Sequence, residues 1–106
     1  MKNDDMELVR GSGNVYRDFG YPDADVRQLK SILAAQILKI LERDKLSVRE
    51  AQGRTGIGAA DFSRIRQVKL DRFTIDRLLT IVNKLGTRID FKIKARRERH
   101  LESSAA

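Results

Sequence analysis

The longest regular pattern of apolar positions lies between residues 24 and 43. Apolar side chains recur there every three or four positions, as on one face of an α-helix. They are Val26, Leu29, Ile32, Leu33, Ile37, Ile40 and Leu41. Asp23 directly precedes the segment and is suited to cap its first turn. The pattern therefore predicts a first helix over residues 24–43 with one buried stripe.

Two shorter helical segments follow. Ser47 and Glu50 have the spacing of a capping box, in which the serine hydroxyl accepts from the third helical amide and the glutamate reaches back to the serine amide. This predicts a second helix that Gly56 ends about two turns later. A third helix is expected to begin at Gly58 or Ala59 and to continue to about residue 67.

A fourth helix is predicted after Thr74, whose hydroxyl can cap it. Gly86 ends the pattern and suits the left-handed conformation that commonly follows a helix. The apolar stripe of this helix consists of Ile75, Leu78, Leu79, Val82 and Leu85.

Beyond Gly86 the apolar period changes to two. Ile89, Phe91 and Ile93 alternate with charged residues, which is typical of a β-strand. A strand needs a neighbour for its backbone hydrogen bonds. Residues 14–19 offer a short one within the chain, but the simplest source is the same strand of a second copy across a two-fold axis. We therefore expect these three apolar residues to form a dimerisation element.

The chain length of 106 residues allows one compact domain. Residues 1–22 are polar, acidic and glycine-containing, and predict a flexible arm in which Val15, Tyr16 and Phe19 dock on the body. Residues 23–94 then form the domain with its C-terminal dimerisation strand, and residues 95–106 form a charged tail.

Charge is distributed unevenly along the chain. The total is +7, yet residues 1–25 carry three bases and six acids, which leaves +10 on the remaining 81 residues. A basic body favours a polyanionic partner such as nucleic acid, because lysine and arginine displace its condensed counterions.

Several other classes of function find no support in the composition. The absence of cysteine excludes disulfides, thiolate metal sites and a thiol nucleophile, and fits a cytoplasmic protein. No apolar stretch approaches the ~20 residues that span a bilayer. His100 stands alone in the tail, so the serines lack a histidine base, and a metal site there would have no second histidine and no cysteine. We expect no enzyme, no cofactor and no metal.

Two short helices with a glycine turn, placed between two longer helices, are the organisation of a helix-turn-helix domain. In such a domain the second short helix enters the major groove of DNA while the first crosses the phosphates. Ile57, Phe62 and Ile65 are expected to hold the two helices together, and Ala51 is expected to allow their close approach.

The motif residues carry a family resemblance. Residues 46–51 (LSVREA), 55–57 (TGI) and 62–65 (FSRI) resemble the lambda-repressor-like regulators of the XRE type, whose DNA-binding domain has five helices. The resemblance implies a mainly α fold, a lambda-repressor-like bundle of four to five helices, here with a C-terminal β-strand. It also implies a transcriptional regulator with double-stranded DNA as its partner.

A narrower resemblance covers residues 13–94. With residues 13–20 (GNVYRDFG), residues 73–78 (FTIDRL) and a strand after Gly86, the chain is similar to the HigA-type antitoxins and their stand-alone relatives. This implies a homodimeric repressor of its own operon that neutralises a RelE-like toxin. The acidic arm would suit contact with such a basic protein, although cover of the chain's own basic body explains its charge equally well.

The resemblance places base-reading side chains early in the third helix. Alanine there can contact a thymine methyl group but forms no bidentate hydrogen bond, whereas Arg64 can bind guanine in that way. The expected base-reading residues are Ala59, Ala60, Asp61, Ser63 and Arg64. The residues expected to hold phosphates, which position a protein without reading sequence, are Lys45, Ser47, Arg49, Arg66, Lys69 and Arg72.

One departure from the family pattern supports an alternative function. Where the family has a small residue in the first motif helix, this chain has Gln52 followed by Gly53, and glycine costs about 1 kcal/mol of helix propensity relative to alanine. Together with the paired alanines, this favours a protein-interaction module of the same fold that has lost specific DNA binding. The alternative for each basic residue named above is a position on the surface in contact with solvent only, without a role in binding DNA.

Overall fold

The computed structural model describes residues 19–97 and contains four α-helices in that range. They are α1 (Ala24–Arg43), α2 (Val48–Thr55), α3 (Ala59–Arg66) and α4 (Ile75–Lys84). The predicted mainly helical bundle is confirmed. The flexible arm up to residue 18, the docking of Val15 and Tyr16, and the tail with His100 lie outside the described residues.

The core forms where α1 packs on α4 and α2 packs on α3. Within α1 the predicted stripe is buried from Leu33 onwards, while Val26 near its start is exposed. Within α4 the predicted stripe missed Ile81, which is fully buried. Ile81 is enclosed because α4 contacts both α1 and α2, so a wider face of this helix is covered than a single stripe.

The start of α1 differs from the sequence prediction. Asp23 precedes the helix and its carbonyl accepts from the Arg27 amide at 3.0 Å, but its side chain forms no cap. The carboxylate instead accepts from Nε of Arg27 at 2.9 Å, and this hydrogen bond lowers the pKa of Asp23. The Arg27 guanidinium lies 4.3 Å from the centroid of the Tyr21 ring. The predicted cap is wrong because an arginine one turn away competes for the carboxylate.

Phe19 was expected to dock on the body, and this prediction is also wrong. Its side chain is exposed, as is that of Val26 on the first turn of α1. The apolar contacts of the first turn of α1 are limited to Ala24, which is buried, and they do not cover Phe19, which stays 76% exposed.

Each of the four helices is followed by a residue with positive φ. Gly56 follows α2 and Gly86 follows α4, as predicted, but Lys45 after α1 and Val68 after α3 have φ values of 53° and 58°. Glycine adopts this region freely, whereas an L-residue meets a clash between its Cβ and the backbone. Val68 is the most strained of these residues, because its side chain is β-branched.

The expected β-strand does not form in the single chain. Residues 87–97 contain no assigned strand, and only Ile89 packs partly against the core. Phe91 and Ile93 are 53% and 87% exposed. The physical reason is that no other segment among residues 19–97 supplies the backbone donors and acceptors that a strand requires. None of the helices described is long and apolar enough to cross a membrane.

Candidate nucleic-acid interface

The first helix of the motif begins at a complete capping box. The Ser47 hydroxyl accepts from the Glu50 amide at 3.1 Å, and the Glu50 carboxylate accepts from the Ser47 amide at 2.8 Å. The hydrogen bond to the backbone at Ser47 lowers the pKa of Glu50. The predicted cap is confirmed, and the Ser47 hydroxyl proton stays available to donate to an acceptor outside the chain.

The turn between α2 and α3 is stabilised by one glycine and one buried hydroxyl. Gly56 has a φ of 79° and donates its amide to the Gln52 carbonyl at 2.7 Å. The Thr55 hydroxyl donates to the Ala51 carbonyl at 2.7 Å and accepts from the Ile57 amide at 3.1 Å. Both capacities of this hydroxyl are therefore used, and the turn can be buried without an unpaired polar group.

The start of α3 is capped from the neighbouring helix. Gly58 occupies the N-cap position and has no side chain to accept a hydrogen bond. Oε1 of Gln52 accepts from the Ala59 amide at 3.0 Å instead. Sequence reasoning treated Gln52 only as a departure from the family pattern. The available signal was a helix that begins at glycine and so needs an acceptor from elsewhere.

The apolar contacts of α3 hold one face against the bundle. Phe62 and Ile65 are fully buried, Ile57 and Ala51 are buried beside them, and all four predictions are confirmed. On the remaining surface of α3, Ala60 is exposed, and the other four expected base-reading residues are half-buried.

Two of those residues belong to one ionic cluster. The Asp61 carboxylate accepts from Nη1 of Arg64 at 2.9 Å through one oxygen, and from Nη2 of Arg77 at 3.0 Å through the other. Arg77 lies in the first turn of α4 and was not among the expected site residues. No local pattern indicates its role, because it stands 16 positions from Asp61.

The five basic residues expected to hold phosphates are all exposed: Lys45, Arg49, Arg66, Lys69 and Arg72. Within the described part of the chain, none of their side chains forms a salt bridge or a hydrogen bond. Lys45 and Arg66 line one shallow cleft of about 440 Å³ between the end of α1 and the end of α3. Basic side chains that form no ion pair within the protein can turn towards phosphates.

Two acidic residues near the motif, Asp44 and Asp61, form ion pairs with other arginines. Asp44 accepts from Nε of Arg43 at 2.9 Å and from Nη1 of Arg54 at 3.4 Å, and the hydrogen bond with Arg43 lowers its pKa. Asp44 lies between α1 and α2, so this ionic group connects the two helices. The negative charges of Asp44 and Asp61 are therefore both offset by paired arginines, while the five candidate phosphate ligands stay unpaired.

The comparisons with known proteins agree with this geometry. The family model described as a helix-turn-helix domain matches residues 15–94. The match includes all four helices and the apolar residues that follow α4. Comparison with curated proteins and comparison with solved structures gave no match.

Proposed function

The chain belongs to the helix-turn-helix domain family, and we propose that it is a sequence-specific regulator of transcription that binds double-stranded DNA as a homodimer. The observation that carries the proposal is the pair α2–α3, closed by a capping box and a glycine turn. The polar surface of α3 is flanked there by five exposed basic side chains without acidic partners. Insertion of α3 into the major groove would place these side chains near the phosphates.

The dimer is proposed from the segment after α4. Phe91 and Ile93 are exposed in the single chain and alternate with Lys92 and Lys94. Pairing of this segment with its copy would satisfy the unpaired backbone groups and cover both apolar side chains. The two copies of α3 in such a dimer would bind half-sites about 34 Å apart, which is one turn of DNA.

The proposal is tested by selecting bound duplexes from a randomised DNA pool with purified protein at near-physiological salt. We expect enrichment of a palindrome with half-sites one helical turn apart. Affinity for the enriched duplex should exceed that for a scrambled duplex by about 10³-fold or more. The double variant Phe91→Ser/Ile93→Ser should be monomeric by light scattering and should lose the preference for paired half-sites. No enrichment together with a monomeric wild type would refute the proposal.

We further propose that the regulator is the antitoxin of a toxin–antitoxin pair and represses its own operon. The support is the resemblance of residues 13–94 to the HigA-type antitoxins, together with the acidic residues in 1–25 that suit a basic RelE-like ribonuclease. Co-expression tests it: this protein should restore growth to cells that produce the toxin encoded beside it. If the product of the neighbouring gene is not toxic, this protein is a stand-alone regulator and not an antitoxin.

The rival function is a protein-interaction module that keeps the fold without specific DNA binding. Ala59 and Ala60 in the first turn of α3 favour it, because their side chains have no polar atoms with which to bind a base. The module would bind specific and scrambled duplexes alike, with an affinity that falls steeply with salt, because only its basic surface would contribute. The ratio of the two affinities therefore separates the two functions, whereas the affinity for one duplex does not.

A further inference from the structure

We propose that Asp61 is a positioning residue that holds Arg64 in the orientation needed to bind a guanine, with Arg77 of α4 as the second support. The inference rests on the proposed DNA binding and concerns which residues discriminate the sequence. It differs from the expectation that Asp61 itself contacts a base.

Both carboxylate oxygens of Asp61 are already engaged. One oxygen accepts from Arg64 at 2.9 Å and the other accepts from Arg77 at 3.0 Å. The Asp61 side chain is 27% exposed, the lowest fraction of the three. A direct contact of Asp61 with cytosine N4 would have to compete with two charge-assisted hydrogen bonds.

The arginine keeps a free recognition edge. Asp61 engages Nη1 of Arg64, which leaves the Nε and Nη2 donors on the other edge of the guanidinium. Two adjacent donors match O6 and N7 of guanine, the commonest specific contact in the major groove. A long side chain that is already held by a carboxylate loses less rotational freedom when it binds its base.

Arg77 completes the arrangement. An isolated carboxylate near DNA would be repelled by the phosphates, but Arg64 and Arg77 together give the cluster a net charge of +1. Arg77 also connects Asp61 on α3 to the first turn of α4, so the orientation of the cluster follows the packing of the bundle. Ion pairs as exposed as these contribute little to folding stability, so a variant that breaks them is expected to keep the fold.

The test compares base preference in the wild type, Asp61→Asn, Arg64→Ala and the double variant on the enriched duplex. Arg64→Ala should lose about 10- to 100-fold of discrimination at one base pair. Asp61→Asn should lose part of the discrimination at that same base pair, about 3- to 10-fold, and the double variant should be no worse than Arg64→Ala. Binding of Asp61→Asn to scrambled DNA should be unchanged or stronger, because a negative charge is removed.

Two further measurements exclude a general loss of structure. The midpoint temperature of thermal unfolding of Asp61→Asn should be close to that of the wild type. Relaxation of the Arg64 Nε–H group in the free protein should show an ordered side chain in the wild type and a mobile one in the variant. Arg77→Gln, which removes only the second support, should weaken discrimination at the same base pair by a smaller factor.

The outcomes separate this proposal from the proposed function. If the wild type enriches a sequence but Asp61→Asn changes the preference at another base pair, Asp61 reads a base directly and the positioning role is wrong. Unchanged preferences in Asp61→Asn, or effects of the two single variants that multiply in the double variant, would also overturn it. If the wild type enriches no sequence, the proposed function fails and the positioning role fails with it.

Discussion

Val68→Gly is expected to stabilise the protein, because Val68 adopts a backbone conformation that valine disfavours. Its φ is 58°, in the left-handed region, immediately after α3. The adjacent hydrogen bonds are those of a standard helix end: the Lys69 amide donates to the Arg64 carbonyl at 2.9 Å, and the Val68 amide donates to the Ile65 carbonyl at 3.0 Å. Glycine keeps both bonds and removes the Cβ clash.

The magnitude follows from three opposing effects. Relief of the left-handed strain is worth about 2 kcal/mol for a β-branched residue, the upper part of the range for L-residues. The Val68 side chain is 56% exposed, so its truncation loses about 0.6 kcal/mol of apolar burial. The added freedom of glycine in the unfolded chain costs about 0.7 kcal/mol. The sum predicts that the free energy of unfolding of Val68→Gly is about 0.7 kcal/mol higher than that of the wild type.

Urea unfolding followed by circular dichroism measures this difference. Val68→Ala is the matched control, since it loses the γ-methyl groups but keeps a Cβ. It should be less stable than Val68→Gly by about 0.5 kcal/mol, because the strain of the remaining Cβ exceeds the entropic cost of glycine. Gln67→Gly is a second control at the neighbouring position, where φ is −89° and no strain exists, and it should not gain stability. A Val68→Gly variant no more stable than Val68→Ala would refute the reasoning.

Three further predictions concern α2. Gly53→Ala should stabilise the protein by about 0.5–1 kcal/mol, because Gly53 lies inside the helix and an added Cβ meets nothing within 4 Å; a thermal melt without an increase would contradict this. Gln52→Ala should cost about 1 kcal/mol in urea unfolding through loss of the cap on α3, whereas Gln52→Glu, which keeps an acceptor, should cost less. Folding lowers the pKa of Glu50 from its ordinary value of 4.5. The ionised Glu50 side chain therefore stabilises the folded protein above pH 4.5, and this contribution is lost as the pH falls through the lowered pKa. The difference between wild type and Glu50→Gln should therefore be larger at pH 7 than at pH 3, and equal differences at both would contradict the capping role.

The helices could be predicted because their ends are encoded locally. The capping box at Ser47, the threonine before α4, and the glycines after α2 and α4 act within four residues along the chain. The left-handed conformation of Val68 could not be predicted in the same way, since valine is among the residues that disfavour it. Phe62 and Ile65 within α3 and Leu70 beyond it are all buried, so the tertiary packing holds the turn at Val68 against the local preference.

The candidate site was less predictable, because its contacts join distant positions. The sequence identifies Arg64 and Asp61 as polar residues of α3, but only the packed bundle brings Arg77 to the second oxygen of Asp61. The cap of Ala59 by Gln52 likewise depends on the angle of the turn at Gly56. The segment after α4 forms no strand in the single chain, and the strand that its alternating pattern predicts would form only in the proposed dimer.

The two departures from the family pattern become one feature in the structure. Gly58, Ala59 and Ala60 leave the N-cap and the first two positions of α3 without polar side chains, and Gln52 supplies the acceptor that Gly58 lacks. The interaction-module alternative drew its support from these same residues, yet a capped and supported α3 is what binding in the major groove requires. In the proposed complex with DNA, base discrimination would then fall to Arg64 in the second turn, which forms an ion pair with Asp61. We therefore expect strong preference at only one or two base pairs in each half-site, with much of the affinity contributed by phosphate contacts.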